Sequence, residues 1–253
     1  MVLGRNGEIP ATPFLGMQRL GVIVPSSNTT VETEFYAALH GSQITIHNAR
    51  IPLCDVTVKG LWAMEKETEA AAELLKDADV DAVVFACTSG SLVKGVGQDA
   101  ALAQRIGKVV GRPVVVTSRA VVEALTEVGA HRIAVATPYV DEVNKKETEF
   151  LEKSGFEVVN LRAFNLKSNL EIGRLTANDA AILARSANST FADALFISCT
   201  NLATFEVLPL LEQEMQKPVI SSNSATLWAA LKALNCDLKP RLGRLFEIFR
   251  FHS

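Results

Sequence analysis

Two cysteines occupy matching places in the two halves of this chain. Thiols so placed can transfer protons or add to carbon without a cofactor. Residues 81–88 read DAVVFACT and residues 193–200 read DALFISCT. Cys87 and Cys199 each end an apolar run that begins at an Asp, each precedes a Thr, and they lie 112 positions apart. A second pair of apolar segments keeps that offset, LGVIVP from Leu20 and RIAVAT from Arg132. Pro113–Val116 and Pro218–Ser221 also correspond, each leading into a helical pattern, SRAVVEAL and NSATLWAAL. Two copies of a unit that presents a thiol at the end of a buried strand predict an active site between two lobes, with one sulfur on each side. A lone free cysteine reads as core, because this residue type is so often buried. Two at symmetric strand ends read as functional. Cys54 and Cys236 lack that context and read as structural.

Other polar groups gather where the apolar runs stop. Strand ends form the ligand crevice of a parallel sheet, so Thr88, Ser89 and Thr200 beside the cysteines are candidate binding residues. VPSSNTTVETEF (Val24 to Phe35) is a strand end, a polar turn and a helix start. Its Ser26, Ser27, Asn28, Thr29 and Thr30 bring hydroxyls, an amide and backbone N–H groups to a helix N-terminus, where a negative charge is favoured. An ordinary capping box from Thr30 to Thr33 is the plainer reading, but capping needs one such residue rather than five. In the second half ATPYVDEVN sets Tyr139 just past a strand end. A phenol there can donate a hydrogen bond to a carboxylate or an enolate oxygen.

The elements that must position these groups alternate. Apolar, β-branched runs fall at 20–25, 44–47, 82–86, 114–117, 133–137, 157–161, 194–198 and 218–221. Helical patterns fall between them at 30–40, 62–77, 98–108, 119–128, 141–154, 175–189, 203–215 and 224–234. Continuous apolar strands alternating with helices predict an α/β fold with parallel sheets covered on both faces. Gly129 and Gly155 stand where helices need a left-handed C-terminal residue. The predicted division is a leader over 1–18, a first α/β lobe over 19–118 and a second over 119–221, with about 222–253 returning to the first. NLKSN (Asn165 to Asn169) reads as a loop. The Phe-rich end RLFEIFRFHS reads as an element packed on the core, or else as a subunit contact.

Composition excludes several classes. The chain has 253 residues, 48% of them hydrophobic, and a formal net charge of −3. That is one large domain or two smaller ones, with no basic run to bind nucleic acid. No segment approaches the roughly 18 apolar residues that span a membrane, and the first residues lack the apolar stretch of a signal peptide. A cytoplasmic location with reduced thiols is the expectation. Cys87 lacks the following Arg of a phosphatase loop, GxGxxG and Cys-x-x-Cys are absent, and the four histidines are scattered. No metal or cofactor motif is legible.

With these residues in view, the chain resembles the aspartate/glutamate racemase superfamily, and more narrowly the maleate cis-trans isomerases and their arylmalonate decarboxylase relatives. VPSSNTTVETE is the sharpest match, and CTSGS at Cys87 and SCTNL at Cys199 fit a two-cysteine arrangement. Pro138-Tyr139 and Asn169-Leu170 fall where that family has a substrate-binding Tyr and Asn, and the resemblance runs from about Arg19 to Leu245. It implies two Rossmann-like lobes related by a pseudo-twofold axis, with the active site in the interlobe cleft and no metal or cofactor. It also implies a small dicarboxylate substrate. Cys87 would add to an alkene carbon, and Cys199 would move a proton at the neighbouring carbon or hold the intermediate. Asn28, Tyr139 and Asn169 would bind carboxylates, helped by Ser26, Thr88, Ser89 and Thr200. Enzymes of this kind are often dimers, so a homo-oligomer is expected. An amino-acid racemase or a malonate-type decarboxylase would use the same fold, and a non-catalytic carboxylate-binding protein is a third reading. The NTTVETE segment favours the isomerase, and two cysteines disfavour the decarboxylase, which works with one.

Overall fold

The computed structural model describes residues 16–248. Its strands are β1 (Gln18–Pro25), β2 (Ile44–Ile51), β3 (Ala82–Phe85), β4 (Val114–Val116), β5 (Arg132–Thr137), β6 (Glu157–Ala163), β7 (Ala194–Ile197) and β8 (Val219–Ser221). They form two four-stranded sheets with the same order, β2-β1-β3-β4 and β6-β5-β7-β8, and every pairing is parallel. The fold is therefore α/β, built from two like lobes. Each of the eight apolar runs read from the sequence is a strand. The central strands are the most apolar because helices cover both faces, and all four residues of β3 and of β7 are buried.

The internal repeat is slightly offset from its sequence reading. Leu20 pairs with Ala82, and Ile133 pairs with Ala194. Asp81 accepts a hydrogen bond from Arg19 N at 2.7 Å, and Asp193 accepts one from Arg132 N at 2.8 Å. Arg19, not Leu20, is thus the counterpart of Arg132. The apolar runs carry no internal mark of register, and the acid at the neighbouring strand start fixes it.

Helix boundaries largely follow the sequence pattern. Gly129 and Gly155 have φ of 72° and 99°, as their C-terminal positions require. The expected helix over 62–77 is two, Val58–Glu65 and Thr68–Asp77. Leu61, Met64, Glu65, Thr68, Ala71, Ala72 and Leu75 are all buried, so one helical periodicity runs through the break and hides it. Glu65 ends the first helix in ion pairs with Lys94 and Arg105, and Arg105 also pairs with Glu69 of the second, so one guanidinium spans the break.

The connections bring the two sheets together at their C-terminal ends. After β8 the helix Ser222–Ala233 packs against β3, β4 and the helix Thr117–Glu127. Its residues from Ser222 through Leu231 are all buried. Thr226 donates to Thr117 across this contact at 3.1 Å. A short helix, Arg244–Ile248, closes the described chain with Leu245 and Phe246 in the core. The last residues of the Phe-rich segment and most of the leader lie outside the described residues.

Phe85 is fully buried at the C-terminal end of β3, two residues before Cys87. Replacing it with Ala should lower unfolding stability by about 3–5 kcal/mol, read as a shift of the urea midpoint at unchanged slope.

Candidate active site

The two cysteines terminate corresponding strands but are held differently. Cys87 follows β3 in an extended conformation and caps the helix Thr88–Leu92, its Sγ accepting from Gly90 N at 3.3 Å. A side chain at position 90 would crowd this thiol, because a Cβ there would lie 2.9 Å from Cys87 Sγ. Cys199 follows β7 with φ of 103°, a left-handed conformation that costs a residue with a side chain. Two bonds hold it there. Cys199 N donates to Ser222 Oγ at 3.0 Å, and Asn201 N donates to Cys199 Sγ at 3.3 Å. The Tyr139 hydroxyl hydrogen-bonds the same sulfur.

Polar side chains stitch the lobes together around the sulfurs. Thr200 Oγ1 accepts from Asn28 Nδ2 and donates to the Ala86 carbonyl, both at 3.0 Å. Thr88 Oγ1 donates to Ser222 Oγ at 2.8 Å. Asn169 Nδ2 donates to Ser27 Oγ at 2.8 Å, and Asn201 Nδ2 donates to the Asn169 carbonyl at 2.6 Å. Glu34 is buried and accepts from Thr204 N, Phe205 N and Asn223 Nδ2. Burial pushes its carboxyl up despite those donors, and it anchors the loop that follows Cys199.

Most residues expected at the site do converge. Cys87, Thr88 and Ser89 sit on one lobe's strand end, Cys199, Thr200 and Tyr139 on the other's, and Asn28 and Asn169 flank them. Ser26 does not join them. It is exposed and binds the backbone of Leu53, because it points to the β2 side of the turn. The plainer alternative for that turn, a Thr30–Thr33 capping box, is absent too, and Asn28 Oδ1 instead accepts from Thr30 N and Val31 N. With Thr29 N donating to Asn201, the helix-start donors expected to receive an anion are already engaged inside the protein. Asn169, expected in a loop, begins the short helix Asn169–Gly173. Cys54 is exposed rather than structural.

Sequence reasoning missed Ser222, Asn201, Glu147 and Ser198. Ser222 and Ser198 look like ordinary polar flanks of a strand. Asn201 follows the Cys-Thr pair directly, and that adjacency was the available signal.

The site is closed and short of charge. Cys87 and Cys199 are each 4% exposed and Asn28 and Tyr139 each 1%, so a substrate enters only if the surrounding segments part. Above the cluster the two lobes meet through Val56 N to the Lys167 carbonyl at 2.8 Å and Asn169 N to the Cys54 carbonyl at 2.9 Å. The converging side chains are thiols, hydroxyls and amides, with no Lys or Arg among them. Burial drives the Cys87 thiol up to about 11 and the Cys199 thiol up to about 12. The Tyr139 phenol is driven upward by burial and by the neighbouring Cys199. Among the described residues no group of three or more His, Cys, Asp or Glu is arranged to hold a metal ion.

Both thiols should therefore resist alkylation in the native protein. In peptide mass mapping after brief iodoacetamide treatment at neutral pH, Cys54 should be modified first. Cys87 and Cys199 should react on the same timescale only after denaturant is added.

Comparison with known proteins agrees with this geometry. The family described as arylmalonate decarboxylase matches residues 20–246. A maleate isomerase of Nocardia farcinica is 32% identical over 92% of this chain and 97% of its own length. An arylmalonate decarboxylase of Bordetella bronchiseptica is 28% identical, over 94% of this chain and 98% of its own. The solved Nocardia farcinica maleate cis-trans isomerase, a cysteine mutant with a covalently bound succinylcysteine intermediate, superposes with a TM-score of 0.89 at 28% identity. That match covers 93% of this chain and 100% of the other. Two like α/β lobes, a thiol at each facing strand end and these matches along nearly the whole length place the chain in the arylmalonate decarboxylase family, on the side of its maleate isomerase relatives.

Proposed function

We propose that this protein isomerises maleate to fumarate without a cofactor, through a covalent adduct on a cysteine. The observation that carries this reading is the pair of buried thiols on facing strand ends, close enough that Cys87 raises the proton affinity of Cys199. Rotation about a carbon–carbon double bond is very slow until addition makes the bond single. A thiolate is the side-chain nucleophile best suited to that addition near neutral pH.

Cys87 is the proposed nucleophile. Its thiolate forms a bond to one alkene carbon, and the π electron pair moves to the neighbouring carbon, where a proton from Cys199 is taken up. The product is a succinyl thioether on Cys87. Rotation about the new single bond exchanges the carboxylate positions. Cys199 then removes the proton, the double bond re-forms, and the Cys87 thiolate leaves. The balance closes with both sulfurs restored. The Tyr139 hydroxyl already bonds Cys199 Sγ and can donate to enolate oxygen as charge develops there. Asn28 and Asn169, whose amides each keep a second N–H, and Ser89 supply neutral donors for the two carboxylates, while Thr88 and Thr200 hold the thiol-bearing turns in place.

The raised thiol pKa values fit this chemistry if the site opens to let substrate in. Burial penalises a bare thiolate, whereas the adduct removes charge from sulfur. We carry forward two further proposals, a cytoplasmic location, in which the thiols stay reduced, and a homodimeric assembly. Among the described residues no helix is long and apolar enough to cross a membrane.

Proton NMR of the purified protein with maleate, in D2O with EDTA, tests the reading. Fumarate should accumulate, and Cys87→Ser should cut the rate by on the order of 10³-fold or more. Unchanged maleate with the wild-type protein, while an added aryl malonate loses carbon dioxide, would replace isomerisation by decarboxylation.

A further inference from the structure

One buried carboxyl behind the site has no part in the steps above. Glu147 lies on the helix Asp141–Lys153 and is completely buried. Its Oε1 accepts from Ser198 Oγ at 2.5 Å, and Ser198 is the residue immediately before Cys199. Its Oε2 has no hydrogen-bond partner of good geometry among the described residues, although the Thr137 hydroxyl neighbours it. Among the described residues no Lys or Arg forms an ion pair with it. The same helix carries Asn144, whose Nδ2 holds the Tyr139 carbonyl at 2.9 Å and whose Oδ1 accepts from Thr137 at 3.1 Å. One helix thus sets the positions of both Tyr139 and Cys199.

We infer that Glu147 is a positioning residue that works in its protonated form, fixing Ser198 and the backbone of Cys199 without placing a negative charge behind the substrate. The inference rests on the reading of a dicarboxylate substrate. A site whose own donors are all neutral has nothing to offset a second buried anion beside a thiolate and a dianion. An unpaired carboxylate with an orphaned oxygen is the costly state, and the neutral acid is the cheap one. Burial pushes the Glu147 carboxyl up to about 7, with the Ser198 and Thr137 hydroxyls pulling it down. The titratable groups that face it are Tyr139 from the β5 turn and Cys199 just after β7, and the helix Thr88–Leu92 packed on the helix Asp141–Lys153 carries no charged side chain. The charged Glu157 and Arg162 of β6, packed along the same helix, are both exposed.

The sign of the pH effect follows. The active microstate holds Glu147 protonated and Cys87 ionised. Above about 7 each pH unit loses about tenfold of the first and gains about tenfold of the second. The wild-type kcat/KM for maleate should therefore level off near pH 7, well below the Cys87 value of about 11. Glu147→Gln, neutral at every pH, should keep rising and exceed the wild type by about a hundredfold two units above the break. Ser198→Ala removes a bond that favours ionisation and should move the break upward.

Stability supplies a readout independent of turnover. A carboxyl whose folded pKa is raised stabilises the fold fully below its ordinary value and loses that contribution as pH rises through about 7. The Tm of Glu147→Gln should thus match the wild type near pH 5 and exceed it near pH 9. Coincident pH profiles for wild type and Glu147→Gln would overturn the inference, and so would equal Tm values near pH 9. If maleate is not a substrate while the Tm difference appears, the fault lies in the functional reading and not in the protonation of Glu147.

Discussion

Thr200 Oγ1 makes two hydrogen bonds across the lobes, accepting from Asn28 and donating to the carbonyl of Ala86. The rest of the site depends on that junction. Ala86 immediately precedes Cys87, and Thr200 immediately follows Cys199, so one hydroxyl ties the two thiol-bearing turns together. The neighbouring Thr88–Ser222–Cys199 chain repeats the tie from the other side. An unpaired group left in so dry a place would cost about 1–3 kcal/mol. The network therefore tolerates little misalignment of the lobes, and it absorbs the strain of a left-handed Cys199.

Electrostatics shapes the chemistry as strongly as geometry does. The site buries thiols, hydroxyls and amides together with a carboxyl, and its converging side chains include no cation. Burial then raises every acid present, Cys87, Cys199, Tyr139, Glu34 and Glu147 alike. The two thiols and the phenol at the strand ends are accordingly uncharged near neutral pH. A dianion brings the charge with it, and the donors that meet it are preorganised dipoles rather than counter-ions. The relation between the maleate isomerases and the arylmalonate decarboxylase makes sense in these terms, since both reactions build negative charge on carbon next to a carboxylate.

Much of this was legible in the chain itself. The duplicated Asp–apolar–Cys–Thr unit announced two lobes and two thiols, because buried parallel strands must be apolar throughout and must end where the ligand crevice begins. Asn28 and Tyr139 were read from the polar turns at strand ends, Asn169 through family resemblance alone, and all three lie around the sulfur-bearing turns. The errors have physical causes. Ser26 was grouped with its neighbours because a turn's side-chain directions do not show in its composition. The break at Lys66–Glu67 is invisible because the buried positions keep helical spacing across it. Ser222 and Glu147 were missed because each acts across a long sequence separation, one after β8 and one within an ordinary amphipathic helix.

The central claim is a covalent bond between Cys87 and the substrate, and trapping that bond tests it most directly. Cys199→Ser should slow departure of the adduct while leaving the nucleophile in place. Incubated with maleate, quenched in acid and digested, that variant should carry the added mass of one maleic acid on the peptide containing Cys87. The adduct on any other cysteine, or no adduct under conditions where the wild type turns over, would contradict the account.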